Sequence, residues 1–167
     1  MNEAEFILKE LQKGHAGDPW HGPSRASVLG DVTVDEAARR PGIEGHTIWE
    51  VVLHMGSWTR EVARRMREGN PNEPAAGDWP PMGALSESRW QNAVDELTSA
   101  HVDVADAIRA MRDGQLDEYA GDERDEPMGS GVTYREMLHG LAQHDAYHTG
   151  QASILKRLYR GADARVR

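Results

Sequence analysis

Two stretches of this chain place residues at alternating steps of four and three, and that spacing limits the fold more than any other feature. Residues 86–114 carry Trp90, Val94, Leu97, His101, Val104, Ile108 and Met111 in this register. Residues 133–161 carry Met137, Leu141, His144, His148, Gln151, Leu155 and Leu158. Such a 4,3,4,3 pattern is the seam of a helix packed lengthwise against others with a left-handed supercoil. The first seam is sustained over roughly 40 Å at 1.5 Å per residue. An all-α four-helix bundle is the expected fold class.

Start and stop signals supply the other helices. Thr47-Ile48-Trp49-Glu50 and Thr133-Tyr134-Arg135-Glu136 are capping boxes, in which hydroxyl and carboxylate satisfy each other's backbone amides. The helix opened by Thr47 should end before Gly69 and bury Ile48, Val51, Val52, Met55, Trp58, Thr59, Val62 and Met66. Ser86 or Ser88 should cap the next helix, which is expected to reach Gly114, and the last should stop near Gly161. The first helix is expected from about Ala4 to Lys13, short for a bundle, with Ile7, Leu8 and Leu11 inward. Ser24–Leu29 and Val34–Arg40 read as short helices ended by Gly30 and Pro41. Residues 70–85 hold Pro71, Pro74, Pro80 and Pro81, too many for a helix or central strand, and read as a long connection. The acidic run of Asp117, Glu118, Asp122, Glu123, Asp125 and Glu126 reads as a solvated loop.

A length of 167 residues suits a single domain, expected over 1–167. Nineteen Lys and Arg against twenty-eight Asp and Glu leave a net charge of −9, which repels a phosphate backbone and argues against nucleic acid as a partner. The acidic start Met1-Asn2-Glu3-Ala4-Glu5 is unlike a secretory signal, and no apolar run nears the ~20 residues that span a bilayer. A cytoplasmic protein with no membrane partner is expected. The chain has no Cys, so thiolate nucleophiles, disulfides and cysteine zinc sites are excluded. Any metal must be held by His and carboxylates.

Eight His stand in the chain. His144 and His148, spaced i,i+4, project from one helical face and could share an ion at roughly 2.0–2.1 Å. The spacing alone carries little weight; its force comes from both residues falling on the seam, next to Gln151. Buried polar groups left unpaired cost roughly 1–3 kcal/mol each, so three successive polar seam positions call for a compensating partner. A hydrogen-bonded core pair with Gln151 or Tyr147 is the plain alternative. His54 is the best-placed third ligand, on the flank of its helix's buried stripe beside Val51 and Trp58, with simple packing or exposure as its alternative. Three His make an open site for Zn²⁺ or a similar ion, able to activate water or to bind a thiolate or carbonyl oxygen.

His101 is read as a buried, hydrogen-bonded or ligand-supporting residue rather than a ligand. His46 lies two turns from His54 and reads as a helix-start residue. His21 could rim a pocket or order its loop, and His15 and His139 have no visible partner. Glu50 could orient His54 or serve only its capping box. Asp145 and Tyr147 flank the ligand pair but are expected off the seam face. Two other metal bundles fit poorly. The ferritin-like di-iron pattern needs Glu-x-x-His on two helices, and only Glu136 to His139 supplies it. Hemerythrin-like pieces occur at His46 and Glu50, His101 and Asp106, and His144 and His148, in the wrong order.

The residues Trp20-His21-Gly22-Pro23, His46-Thr47-Ile48-Trp49-Glu50 leading to Leu53-His54 and Trp58, Asp78-Trp79-Pro80, and His144-Asp145-Ala146-Tyr147-His148-Thr149-Gly150-Gln151 together resemble the DinB-like (YfiT-like) superfamily. The resemblance covers nearly the whole chain. It implies an up-down-down-up bundle with long connecting loops, a divalent metal, zinc or nickel, held by His54, His144 and His148, and frequently a homodimer. It also implies a small-molecule substrate. The first reading of activity is a metal-dependent hydrolase acting through bound water. Alternatives are a metal-dependent S-transferase of low-molecular-weight thiols, or a non-catalytic, stress-related metal-binding dimerisation module.

Overall fold

The computed structural model describes residues 1–42, 44–69, 72–121 and 131–164, the last three by backbone only. Among the described residues the regular elements are helices: α1 (Glu3–Ala16), α2 (Arg25–Leu29), α3 (Val34–Ala38), α4 (Ile48–Glu68), α5 (Glu87–Arg109) and α6 (Tyr134–Ala164), with a 3-10 turn at Gln115–Asp117. A single antiparallel bridge pairs Tyr119 with Thr133. None of these helices is long and apolar enough to cross a membrane.

The capping chemistry read from sequence is present. Thr47 accepts from the Glu50 amide while the Glu50 carboxylate accepts from the Thr47 amide. Ser86, not Ser88, caps α5. Asn2 and Glu5 form a further capping box, which moves the start of α1 to Glu3, and the helix runs on to Ala16, beyond the Lys13 expected. At the far end of α4, Gly69 adopts the left-handed conformation that closes the helix.

The long helices make a ring in which α1 and α4 each touch both α5 and α6. Two apolar clusters fill it. One joins Trp49, Val52 and Met55 of α4 to Trp90 and Leu97 of α5 and to Ala152 and Tyr159 of α6, under a cover of Val28, Val32 and Ala37. The other joins Ile7 and Leu11 of α1 to Val62 and Met66 of α4, Val104 and Ile108 of α5, and Leu138 and Leu141 of α6. The N-terminal halves of α4 and α5 thus sit with the C-terminal half of α6. Between the clusters lie the buried polar residues His54, His101, Asp145 and His148.

Three expectations change. Helix α5 stops at Arg109 rather than Gly114, because the chain turns through Ala110 and a left-handed Gly114; Met111 leaves the helix but still packs against the second cluster. Trp58 is only half-buried. The buried face of α6 is wider than the expected seam: Met137, Leu141 and His148 are buried and Leu155 packs on the first cluster, but Tyr134, Leu138, Asp145, Thr149, Ala152 and Tyr159 are buried too, whereas Leu158 is 60% exposed. Helix α6 packs on α1 and α2 as well as α4, which turns a second face inward. Pro71, Asp122, Glu123, Asp125 and Glu126 of the expected connections lie outside the described residues.

The wider buried face has a direct test. Leu138→Ala, at a site with 0% exposure, should cost roughly 2–5 kcal/mol, whereas Leu158→Ala should stay within about 0.5 kcal/mol. Chemical denaturation midpoints at constant slope measure both.

Candidate metal centre

One nitrogen each from His54, His144 and His148 lies within 4.8 Å of the other two, a group able to hold a metal ion. Helix α4 brings His54, 7% exposed, and α6 brings His148, 6% exposed, with the half-buried His144 one turn before it. Nε2 of His54 stands 3.0 Å from Nε2 of His144. Two nitrogens on one tetrahedral zinc, each at ~2.0–2.1 Å, stand about 3.3 Å apart. The His54 and His144 nitrogens therefore stand within a few tenths of an ångström of a shared ligation distance.

Hydrogen bonds on the far side of two rings set their tautomers. Nδ1 of His54 lies 2.7 Å from the Asp78 carbonyl oxygen, which can only accept, so the ring proton sits on Nδ1 and Nε2 keeps its lone pair. Nδ1 of His148 meets Oε1 of Gln151 at 2.7 Å, which frees its Nε2 in the same way. Nδ1 of His144 is buried without a partner. Burial, followed by the neighbouring His148 and His54, pushes His144 down to about 4. Burial lowers His148 as well, although its bond to Gln151 works the other way. Both rings are thus neutral near pH 7, the form a metal takes. With Nε2 of His54 and of His148 left as acceptors beside Nε2 of His144, the three rings offer a donor set that fits a divalent ion.

The connection before α5 takes part. Ser57 donates to the Gly77 carbonyl at 2.6 Å and Trp58 Nε1 donates to Asp78 Oδ1 at 2.6 Å, which pins residues 77–79 along α4. Trp79 then lies between two imidazoles, with its ring centroid 3.4 Å from His46 and 4.0 Å from His54, both nearly parallel. Asp78, rather than Glu50, orients His54; Glu50 bonds Thr47 in its capping box and pairs with Arg40 at 2.6 Å. His46 is more than a helix-start residue, since it covers the outer face of Trp79. Sequence reasoning treated 70–85 as a plain connection, and Asp78-Trp79-Pro80 entered only through the resemblance.

A second polar group fills the middle of the bundle behind α6. Arg25, at the first position of α2 and 3% exposed, places Nη1 2.7 Å from His101 Nε2 and 3.3 Å from Asp145 Oδ2, and Nη2 2.6 Å from His15 Nδ1. His101 Nε2 also stands 3.0 Å from Asp145 Oδ2. It can accept from Arg25 or donate to Asp145, one at a time. Burial opposes the charge on Asp145, but His101 and Arg25 hold its carboxyl below the ordinary range. Asp145 is therefore an inward-facing residue, contrary to the expectation that it stands off the seam, and Tyr147 is exposed as expected. His15, read as unpartnered, bonds Arg25 and stacks on His101 with centroids 5.7 Å apart. His139 lies 3.6 Å from Glu3. His21 lines a small cavity with Asp145 and Thr149. No sequence signal marks Arg25, a lone cation in a five-residue helix.

Burial, then the charge of Arg25, depresses His15 to about 4. The unfolded chain, with His near 6.5, binds the proton more readily, so stability should fall as pH drops from about 6.5 to about 4. His15→Gln should flatten that part of the profile, as read by denaturation midpoints across the window.

No curated protein and no solved structure matches the chain. The family model of the DinB superfamily matches residues 25–152, which takes in all three His of the candidate metal group, the 77–79 segment and Arg25. Over three-quarters of its length and through every residue of this centre, the chain belongs to the DinB superfamily.

Proposed function

We propose that His54, His144 and His148 together hold one divalent cation, zinc or nickel, and that the protein is a metal-dependent hydrolase of a small-molecule substrate. The observation that carries this reading is the convergence of three imidazole nitrogens within 4.8 Å, two of them on rings oriented by Asp78 and Gln151. Among the described residues no carboxylate joins the group. Structural ions usually have four protein ligands, whereas a three-ligand set leaves a position for water or substrate. A cation so held supplies a water of lowered pKa and polarises a carbonyl or phosphoryl oxygen.

The chain's own residues do the remaining work. The Asp78 carbonyl and Gln151 lock the rings of His54 and His148, so that no reorganisation is needed when a ligand arrives. Trp79 covers one face of His54 and shields it from bulk water. Tyr147, exposed beside His148 with ring centroids 4.9 Å apart, is the residue placed to meet a substrate at the rim and to exchange a proton there.

Elemental analysis of protein purified without a nickel column should give one metal per chain, and His148→Ala should abolish it. Gln151→Leu, which removes only the partner of His148, should weaken metal retention by about 10–100-fold in competition with a chelator. Turnover of a hydrolysable substrate panel should proceed without added thiol. Turnover that requires and consumes a thiol would replace hydrolysis with S-transfer, and unchanged metal content in His148→Ala would remove the ligand set.

A further inference from the structure

A cavity of about 230 Å³ opens between α1 and α5, and none of the three candidate metal ligands lines it. Its walls are Leu8 and Leu11 of α1 and Val102 and Ala105 of α5. Its polar lining is His15, His101, Gln12 and Arg109, the last paired with Asp106 at 2.7 Å. No carboxylate lines the cavity, in a chain of net charge −9.

The chemistry of His15 follows from its partner. A guanidinium can only donate, so the His15 Nδ1 that sits 2.6 Å from Arg25 Nη2 must accept. The proton of the neutral ring is therefore on Nε2. No described residue is bonded to that nitrogen, which leaves a hydrogen-bond donor on the lining of an apolar cavity. Such a donor asks for an acceptor. An amine or other cation would meet an N–H donor and no carboxylate on the lining, whereas an anion's oxygen can accept from that N–H. The volume is below the roughly 300–1,000 Å³ of sites for drug-sized ligands, which limits the occupant to one ring or a short chain.

We propose that this cavity binds a small apolar carboxylate, with its hydrocarbon body against Leu8, Leu11 and Ala105 and one oxygen accepting from Nε2 of His15. The inference uses none of the metal-group residues, so it stands or falls separately from the hydrolase reading.

Benzoate is the probe, with benzyl alcohol and benzylamine as its neutral and cationic counterparts, titrated by calorimetry into chelator-treated protein so that no metal can capture the carboxylate. Benzoate should bind at one site, at least tenfold more tightly than benzyl alcohol, with benzylamine weakest. Val102→Glu, an exposed position that sets a negative charge on the wall, should reduce benzoate affinity at least tenfold and leave the circular dichroism unchanged. His15→Leu should remove the preference for benzoate over benzyl alcohol, and His148→Ala should leave binding as it was. Equal affinity for the three probes, or benzoate binding unmoved by Val102→Glu, would overturn the proposal. Loss of binding in His148→Ala would also overturn it, by moving the ligand to the metal group.

Discussion

The middle of the bundle is organised around one constraint: α6 turns His144, Asp145 and His148 inward within little more than one helical turn, and each needs a polar partner there. Consecutive positions on a helix point about 100° apart, so His144 and Asp145 cannot face the same neighbour. His144 and His148 meet His54 on α4, whereas Asp145 reaches Arg25 of α2 and His101 of α5. Apolar clusters above and below hold the helices at the separation these contacts need. A polar layer so enclosed is costly if half-satisfied, which is why even short elements such as α2 deliver a buried side chain to it.

The two polar groups behave differently. In the α4 side group His144 and His148 are neutral near pH 7 and Nε2 of His54 and of His148 keep their lone pairs, an arrangement that a cation would stabilise. The α2 side group closes on itself, because Arg25 and Asp145 compensate each other's charge and His15 and His101 accept or donate around them. One oxygen of Asp145 has no protein partner, and neither does Nδ1 of His144. Adjacent residues of α6 thus carry the unsatisfied atoms of both groups, which ties the candidate metal centre physically to the cluster behind it.

Much of this was legible because it is local. Capping boxes at Thr47 and Thr133, the stripes of α4 and α5, and the inward positions of His101 and His148 depend on helical period and on side chains three or four residues apart. The i,i+4 pair on α6 and the flank position of His54 follow from the same period, and together they name the three nitrogens that converge. The misreadings are equally physical. One inward stripe was assumed for a helix that packs on α1 and α2 as well as α4, so the burial of Asp145 and Tyr159 was missed and Leu158 was placed inward.

By itself the sequence determined an all-helical chain, the limits of α4, the absence of any thiolate ligand and the candidate trio of His54, His144 and His148. Tertiary structure alone decided which groups orient them. Asp78 lies 24 residues from His54, Arg25 lies 120 from Asp145, and Trp79 reaches His46 and His54 only because Ser57 and Trp58 tie its loop to α4. Helical period fixes relations within a turn or two; it carries no information about which loop folds over a helix or which distant cation enters its buried face, since those depend on packing of the whole chain.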